Sequence, residues 1–246
     1  MLDVKIDHIL LNGSEIVKNI RFSLKQKMIY TILGRNGSGK STLIKALTGL
    51  LNSGVYSVNG KVLLQNNDLL SCSSDYLIRL RSSQIKYVFQ DPVNSFDHLK
   101  KLKYYFKKTG KPEEDVLKLL GEFLFEEPAK IFSMYPYELS GGMAQRLNFV
   151  LAFLSSPDLL ILDEPTSGID NAVSNLLLLK LKSFVCQESK SVLLVTQDLN
   201  WAAKVSSKIA FLENGTLSDF RTPEEFFNSS DNLVKSFLTS LQMIKK

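Results

Sequence analysis

Residues 28–42 constrain this chain more than any other stretch. Met28-Ile29-Tyr30-Thr31-Ile32-Leu33 is an apolar run suited to a strand buried on both faces. It leads directly into Gly34-Arg35-Asn36-Gly37-Ser38-Gly39-Lys40-Ser41-Thr42, which fits the spacing G-x-x-x-x-G-K-[ST]. Ser41 to Leu51 then reads as a helix. The glycines let the backbone curl until successive N–H groups point inward at phosphate oxygens. The helix start adds the positive end of its dipole. In such a turn Lys40 reaches the β- and γ-phosphates and the Ser41 hydroxyl binds Mg²⁺.

The rest of the sequence supplies the sheet that such a turn requires. Leu159-Leu160-Ile161-Leu162 and Val192-Leu193-Leu194-Val195 read as further buried strands. Ile209 to Leu212 is a fourth, with Asn214-Gly215 turning it into Thr216-Leu217. Near the N-terminus Val4, Ile6 and His8 alternate with charged residues, as do Ile20, Phe22 and Leu24, which predicts shorter strands. Residues from about Asp91 to Leu151 read as helical, broken at Gly110-Lys111-Pro112 and Glu127-Pro128. They form a lobe inserted into an α/β core with a parallel sheet. The tail after Thr222-Pro223 reads as two short amphipathic helices.

Composition adds limits. The chain has 246 residues, which suits one domain, or one domain carrying a lobe. Hydrophobic residues at 44% and charged residues at 22% are ordinary for a soluble globular protein. No apolar run approaches the roughly 20 residues that cross a bilayer. Met1-Leu2-Asp3-Val4-Lys5 lacks a signal-peptide core, so a cytoplasmic location is expected. The net charge is +5, and its one dense run, Lys100, Lys101, Lys103, Lys107, Lys108 and Lys111, reads as a solvated face. Cys72 and Cys186 stand far apart with no companion ligand and are expected to be reduced thiols.

Two further segments carry chemistry. The strand ending at Leu162 delivers Asp163-Glu164 to the carboxyl edge of the sheet, where ligands sit in folds of this class. There Asp163 is expected to hold Mg²⁺ through water. Glu164 is placed to take a proton from water attacking the γ-phosphate. Leu139-Ser140-Gly141-Gly142-Met143-Ala144-Gln145-Arg146 opens a second helix, with Ser140 as N-cap. Its two glycines make another anion-binding end. One nucleotide does not need two such ends from one chain, so Ser140, Gly141 and Gly142 are expected to bind the γ-phosphate of a nucleotide held by a second subunit.

In this order, Gly34 to Thr42, Gln90, Leu139 to Gln145 and Leu160 to Glu164 resemble the Walker A, Q-loop, signature and Walker B motifs of ABC ATPases. The resemblance implies an α/β P-loop NTPase fold, RecA-like, with an N-terminal antiparallel β subdomain and an inserted α-helical subdomain. The core would comprise residues 1–90 and 152–221, the lobe 91–151 and a helical tail 222–246. It implies ATP and Mg²⁺ as ligands, with Gln90 touching Mg²⁺ and the attacking water and linking core to lobe. Gly168-Ile169-Asp170 lies where the family's D-loop crosses the dimer seam. Gln90-Asp91-Pro92-Val93-Asn94-Ser95-Phe96, Tyr135-Pro136-Tyr137-Glu138-Leu139-Ser140-Gly141-Gly142 and the tail from Thr222 to Asn228 look like the ATPases of peptide and nickel importers. Some of these carry a Cys-rich C-terminal cluster; this chain lacks one, so no iron–sulfur site is implied.

The implied partners are a second ATPase subunit, transmembrane permease chains docking near Asp91 to Tyr105 and, indirectly, an extracellular solute-binding protein. The implied location is the inner face of the cell membrane, and no nucleic-acid partner is expected. The family's switch histidine is replaced by Gln197, which can hydrogen-bond a phosphate but cannot shuttle a proton. Its adenine-stacking aromatic, counted back from Gly34 without gaps, falls at Leu11. Both departures point to a heterodimer with unequal sites. A non-hydrolysing regulatory ATP binder and a soluble ATPase acting on nucleic acid or ribosomes remain as alternatives.

Overall fold

The computed structural model describes residues 1–92 and 95–244, with side-chain surroundings as far as Thr239. Val93 and Asn94, quoted in the importer-like motif, lie outside the described residues. So do Lys245 and Lys246.

Two sheets form the core. Strands β1 (Leu2–Leu11), β2 (Ser14–Leu24), β4 (Tyr56–Leu64) and β5 (Asn67–Asp68) make an antiparallel sheet in the order β2-β1-β4-β5. Strands β3 (Ile29–Leu33), β6 (Ile85–Val88), β7 (Leu159–Asp163), β8 (Ser191–Thr196), β9 (Lys208–Glu213) and β10 (Thr216–Leu217) make the second, ordered β10-β9-β3-β8-β7-β6. Its strands pair in parallel, except that β10 returns antiparallel to β9.

The apolar runs form central strands because each is buried on both faces. In β7, Leu160 and Leu162 enter one hydrophobic cluster, while Leu159 and Ile161 enter another on the opposite side. In β8, Val192 and Leu194 divide from Leu193 and Val195 in the same way. The period-two pleat thus feeds two cores from one continuous apolar run. The first core receives α3 (Leu102–Lys108), α4 (Glu113–Glu122), α6 (Gly141–Ser155) and α7 (Asn171–Val185). The second receives α1 (Lys40–Leu47) and the antiparallel sheet. A third cluster packs α9 (Pro223–Phe227) and α10 (Asn232–Ile244) against Ile209 and Phe211 of β9.

Several elements differ from the sequence reading. The β1 alternation fails at His8, which is only half-buried. The register against β4 slips between Ile6 and His8, and the buried position moves to Ile9. In β2 the buried residues are Val17, Ile20 and Leu24, with Phe22 only partly covered; Asn19 sits between the first two at φ 53°. Helix α1 stops at Leu47 rather than Leu51, because Gly49 turns left-handed at φ 63°. Helix α2 (Ser74–Ser83) lies in a stretch the sequence reading left without an element, and Leu80 is its one buried residue. Between Leu102 and Ser155 the helices are separate pieces, with α5 (Pro128–Ile131) and a 3₁₀ turn at Pro136–Glu138 between α4 and α6. The six lysines from Lys100 to Lys111 are all exposed; two of them, Lys100 and Lys108, lie over the Tyr104 ring.

The two sheets meet at Gly215, in the β9–β10 turn. Its carbonyl accepts from the Lys18 amide at 2.8 Å. A Cβ on Gly215 would sit 2.5 Å from the Ile16 carbonyl oxygen, and its φ is +73°. Gly215→Ala is therefore expected to cost at least about 2 kcal/mol, read as a lower urea midpoint. Gly215→Asn tolerates the left-handed backbone but not the close contact, so it should recover little of that loss. Full recovery by Asn would show that φ alone sets the requirement.

Candidate functional site

The turn from Gly34 to Gly39 joins β3 to α1 at the carboxyl end of the parallel sheet. Gly39 takes φ 98°, and a Cβ there would lie 3.1 Å from Val17 Cγ2, so the turn needs glycine for both backbone and space. Lys40 is 5% exposed. Its ammonium donates to the carbonyls of Gly34 at 2.9 Å and Arg35 at 3.0 Å. Those bonds lay the side chain back along the curled turn. Arg35 reaches outward to within 3.9 Å of Glu213.

The acidic pair comes to the same place from β7. Glu164 Oε1 stands 3.5 Å from the Lys40 ammonium, and both side chains are almost fully buried. Glu164 Oε2 accepts from the Thr196 hydroxyl at 3.0 Å and from the Gln197 amide at 3.1 Å. The Glu164 amide donates to the Val195 carbonyl at 2.9 Å. Its φ of 46° is uncommon for a residue other than glycine and marks a constrained position. One carboxylate oxygen is thus fixed to the end of β8, and the other faces the lysine. Asp163 Oδ2 accepts from the Tyr87 hydroxyl at 2.8 Å.

A cavity of about 330 Å³ opens at this point, lined by Ile16, Asn36, Gly37, Gly39, Lys40, Ser41, Thr42, Gln90 and Glu164. Three buried oxygens around it lack a hydrogen-bond partner: Ser38 Oγ, Asp163 Oδ1 and Glu164 Oε1. Two unsatisfied carboxylate oxygens beside a lysine and a curled turn suit a phosphate chain with a divalent cation. Magnesium in phosphate sites is typically held by one or two carboxylates together with the phosphates.

The sequence-derived site residues divide accordingly. Asn36, Gly37, Gly39, Lys40, Ser41, Thr42, Gln90 and Glu164 share the cavity, and Gly34, Arg35, Ser38 and Asp163 adjoin it. Leu11 does not line it; Ile16 does. The chain reverses at Asn12-Gly13 after β1, and the returning strand β2, not the outgoing one, passes the phosphate turn. Counting residues back from Gly34 cannot register that reversal. The Gln197 side chain is exposed and lies outside the cavity lining, while its backbone amide holds Glu164. Thr196 and Tyr87 were missed by the sequence reading, because neither carries a motif of its own.

Ser140, Gly141 and Gly142 are not part of this cavity. Ser140 caps α6, its hydroxyl accepting from the Met143 amide at 3.2 Å. A Cβ on Gly142 would lie 3.6 Å from the Gly168 carbonyl. Asp170 in turn caps α7 through the Val173 amide at 2.9 Å. Gln145, 2% exposed, ties α6 to the segment after Glu164 through the Pro165 carbonyl at 3.5 Å. The second glycine-bearing helix start and the Gly168–Asp170 loop therefore adjoin within one protomer, apart from its own phosphate turn.

Residues 17–167 match the ABC transporter family. Among curated relatives, the oligopeptide transport ATP-binding protein OppD of Lactococcus lactis subsp. cremoris is 29% identical over 91% of this chain and 69% of its own length. OppD of Haemophilus influenzae is 31% identical over 86% and 68%. The dipeptide transport ATP-binding protein DppD of Bacillus subtilis is 30% identical over 87% and 67%. A solved ATP-binding subunit of an ABC transporter shares the fold at TM-score 0.80 and 24% identity, covering 98% of this chain and 99% of that one. A dimeric ATP-binding cassette in a post-hydrolysis state with ADP and Pi shares it at TM-score 0.77 and 23% identity, covering 91% and 99%. The chain belongs to the ABC transporter family and is an ATPase of its ATP-binding cassette type.

Proposed function

We propose that this chain drives an importer of peptides, nickel or a metal chelate, as one half of a heterodimer of ATPase subunits peripheral on the cytoplasmic membrane face. The observation that carries the reading is the meeting of Lys40, Gln90 and Glu164 in one cavity while Ser140 to Gly142 lie outside it. ATP seats its phosphates on the turn, within reach of Lys40 and Thr42. Ser41, Gln90 and Asp163 would hold Mg²⁺, which would supply neutralising charge for those phosphates.

Glu164 accepts the proton of the attacking water. Its Oε2 is anchored by Thr196 and the Gln197 amide, which leaves Oε1, facing Lys40 and without a hydrogen bond, as the oxygen that takes the proton. Gln90, just beyond edge strand β6, orients that water and joins the core to the helical lobe. Ser140, Gly141 and Gly142 complete the partner's site rather than their own. The exposed stretch around Leu99, 86% accessible, is the docking surface for the permease chains, and the solute-binding protein meets those chains on the far side. The names of the peptide-transport relatives support the solute class. Gln197 in place of histidine supports unequal sites.

Glu164→Gln removes the base and keeps the shape. ATP binding should persist, and hydrolysis should fall about a hundredfold or more, measured as phosphate release against equilibrium nucleotide binding. Lys40→Ala should lose binding itself. If Glu164→Gln hydrolyses at the wild-type rate, Glu164 is not the base.

The purified chain alone should hydrolyse ATP slowly, and Gln197→His should raise its rate at least about tenfold. Brisk turnover by the unmodified chain, or no gain from histidine, would remove the case for a weakened site.

A further inference from the structure

One buried polar contact at the site has no place in the scheme above. Tyr87 lies on β6 and Asp163 at the end of the adjacent strand β7, with Tyr87 paired to Ile161 and Val88 to Leu162. The Tyr87 ring belongs to the hydrophobic cluster beneath the antiparallel sheet and packs on Phe89 at 4.2 Å between centroids. A phenylalanine would fill that space equally well. A hydroxyl in such a position costs stability unless it finds a partner. It finds Asp163 Oδ2 at 2.8 Å, a buried bond to a residue 2% exposed. The other oxygen of the same carboxylate, Oδ1, is buried and has no partner.

We propose that Tyr87 is a positioning residue: its hydroxyl occupies Asp163 Oδ2 and holds the carboxylate so that Oδ1 alone serves the Mg²⁺ of bound nucleotide. The inference rests on the reading of Asp163 as a magnesium group. The bond is asymmetric by chemistry. A phenol hydroxyl carries a proton and a carboxylate offers only acceptors, so Tyr87 donates and Asp163 accepts. A donor fixed to one carboxylate oxygen sets the rotation of the group and leaves a single acceptor in a defined direction. Groups that orient a metal ligand from behind typically change metal affinity about 10- to 100-fold when removed. Tyr87 also stands three residues before Gln90, so the same contact ties the strand that leads to Gln90 to the strand that ends in Asp163, next to Glu164.

The test separates metal-linked binding from nucleotide binding as such. The affinity of a fluorescent ATP analogue for the full chain is measured with Mg²⁺ and again in EDTA, for wild type, Tyr87→Phe and Tyr87→Met. Both variants remove the hydroxyl and keep an apolar side chain, so either one suffices if the other folds poorly. The expected result is a ratio of Mg²⁺ to EDTA affinity about tenfold lower than wild type. The EDTA affinity itself should be unchanged. A purely structural role for Tyr87 would lower both affinities together and leave the ratio intact, and that outcome overturns the proposal. If wild type gains nothing from Mg²⁺, the assignment of Asp163 to the metal fails, and this inference fails with it. An unchanged ratio in the variants beside a clear wild-type gain sinks the Tyr87 inference alone.

Discussion

The contact on which the site depends is the buried pair of Lys40 and Glu164, 3.5 Å apart. Two opposite charges out of water are tolerated only when the remaining donors and acceptors are met. Lys40 meets the carbonyls of its own turn, and Glu164 meets Thr196 and the Gln197 amide. Those partners come from the ends of β3 and β8, and Glu164 itself follows the end of β7. The parallel pairing of β3 with β8, and of β8 with β7, brings the three ends to one edge. The ion pair is thus a consequence of strand order. A sheet wound in another order would leave each charge without its neighbour.

The same arrangement leaves the site incomplete in a specific way. Glu164 Oε1, Asp163 Oδ1 and Ser38 Oγ are buried without hydrogen bonds, although buried polar atoms ordinarily have partners. Among the described residues, Gln145 Oε1 and Trp201 Nε1 are also buried without a partner, away from the phosphate turn. The first three sit on the glycine turn and at the end of β7, and Glu164 shares its cavity with Gln90. Unmet acceptors beside an ammonium group describe a place prepared for a ligand bearing both phosphate and a cation.

Much of this was legible in the sequence, for reasons that differ between elements. The strands Leu159 to Leu162 and Val192 to Val195 could be read because burial on both faces demands an unbroken apolar run. The glycine turn could be read because few other residues permit its curl. Strand β1 misled at His8, since a register slip between neighbouring strands leaves no trace in one strand's own composition. Helix α2 was invisible because a single buried residue, Leu80, gives no stripe for periodicity to detect. Ile16, Thr196 and Tyr87 escaped notice for a common cause. Each meets the site through a cross-strand contact, and the pairing of Tyr87 with Asp163 spans 76 positions. Spacing arguments work within a segment and fail between segments that only folding brings together.

The second glycine-bearing helix start follows a different logic from the first. At the phosphate turn, Gly39 is required by the left-handed backbone and by the approach of Val17. Neither demand exists at Gly141, where a Cβ would meet nothing, and at Gly142 the nearest atom would be at ordinary contact distance. Within one protomer, then, nothing forbids side chains there. Gly141 is also exposed. The Gly168 carbonyl beside Gly142 extends the same surface into the loop that precedes α7. Bare amides at this position suit the approach of phosphates held by a second subunit, the arrangement proposed above, and the open space at Gly141 and ordinary contact distance at Gly142 are compatible with it.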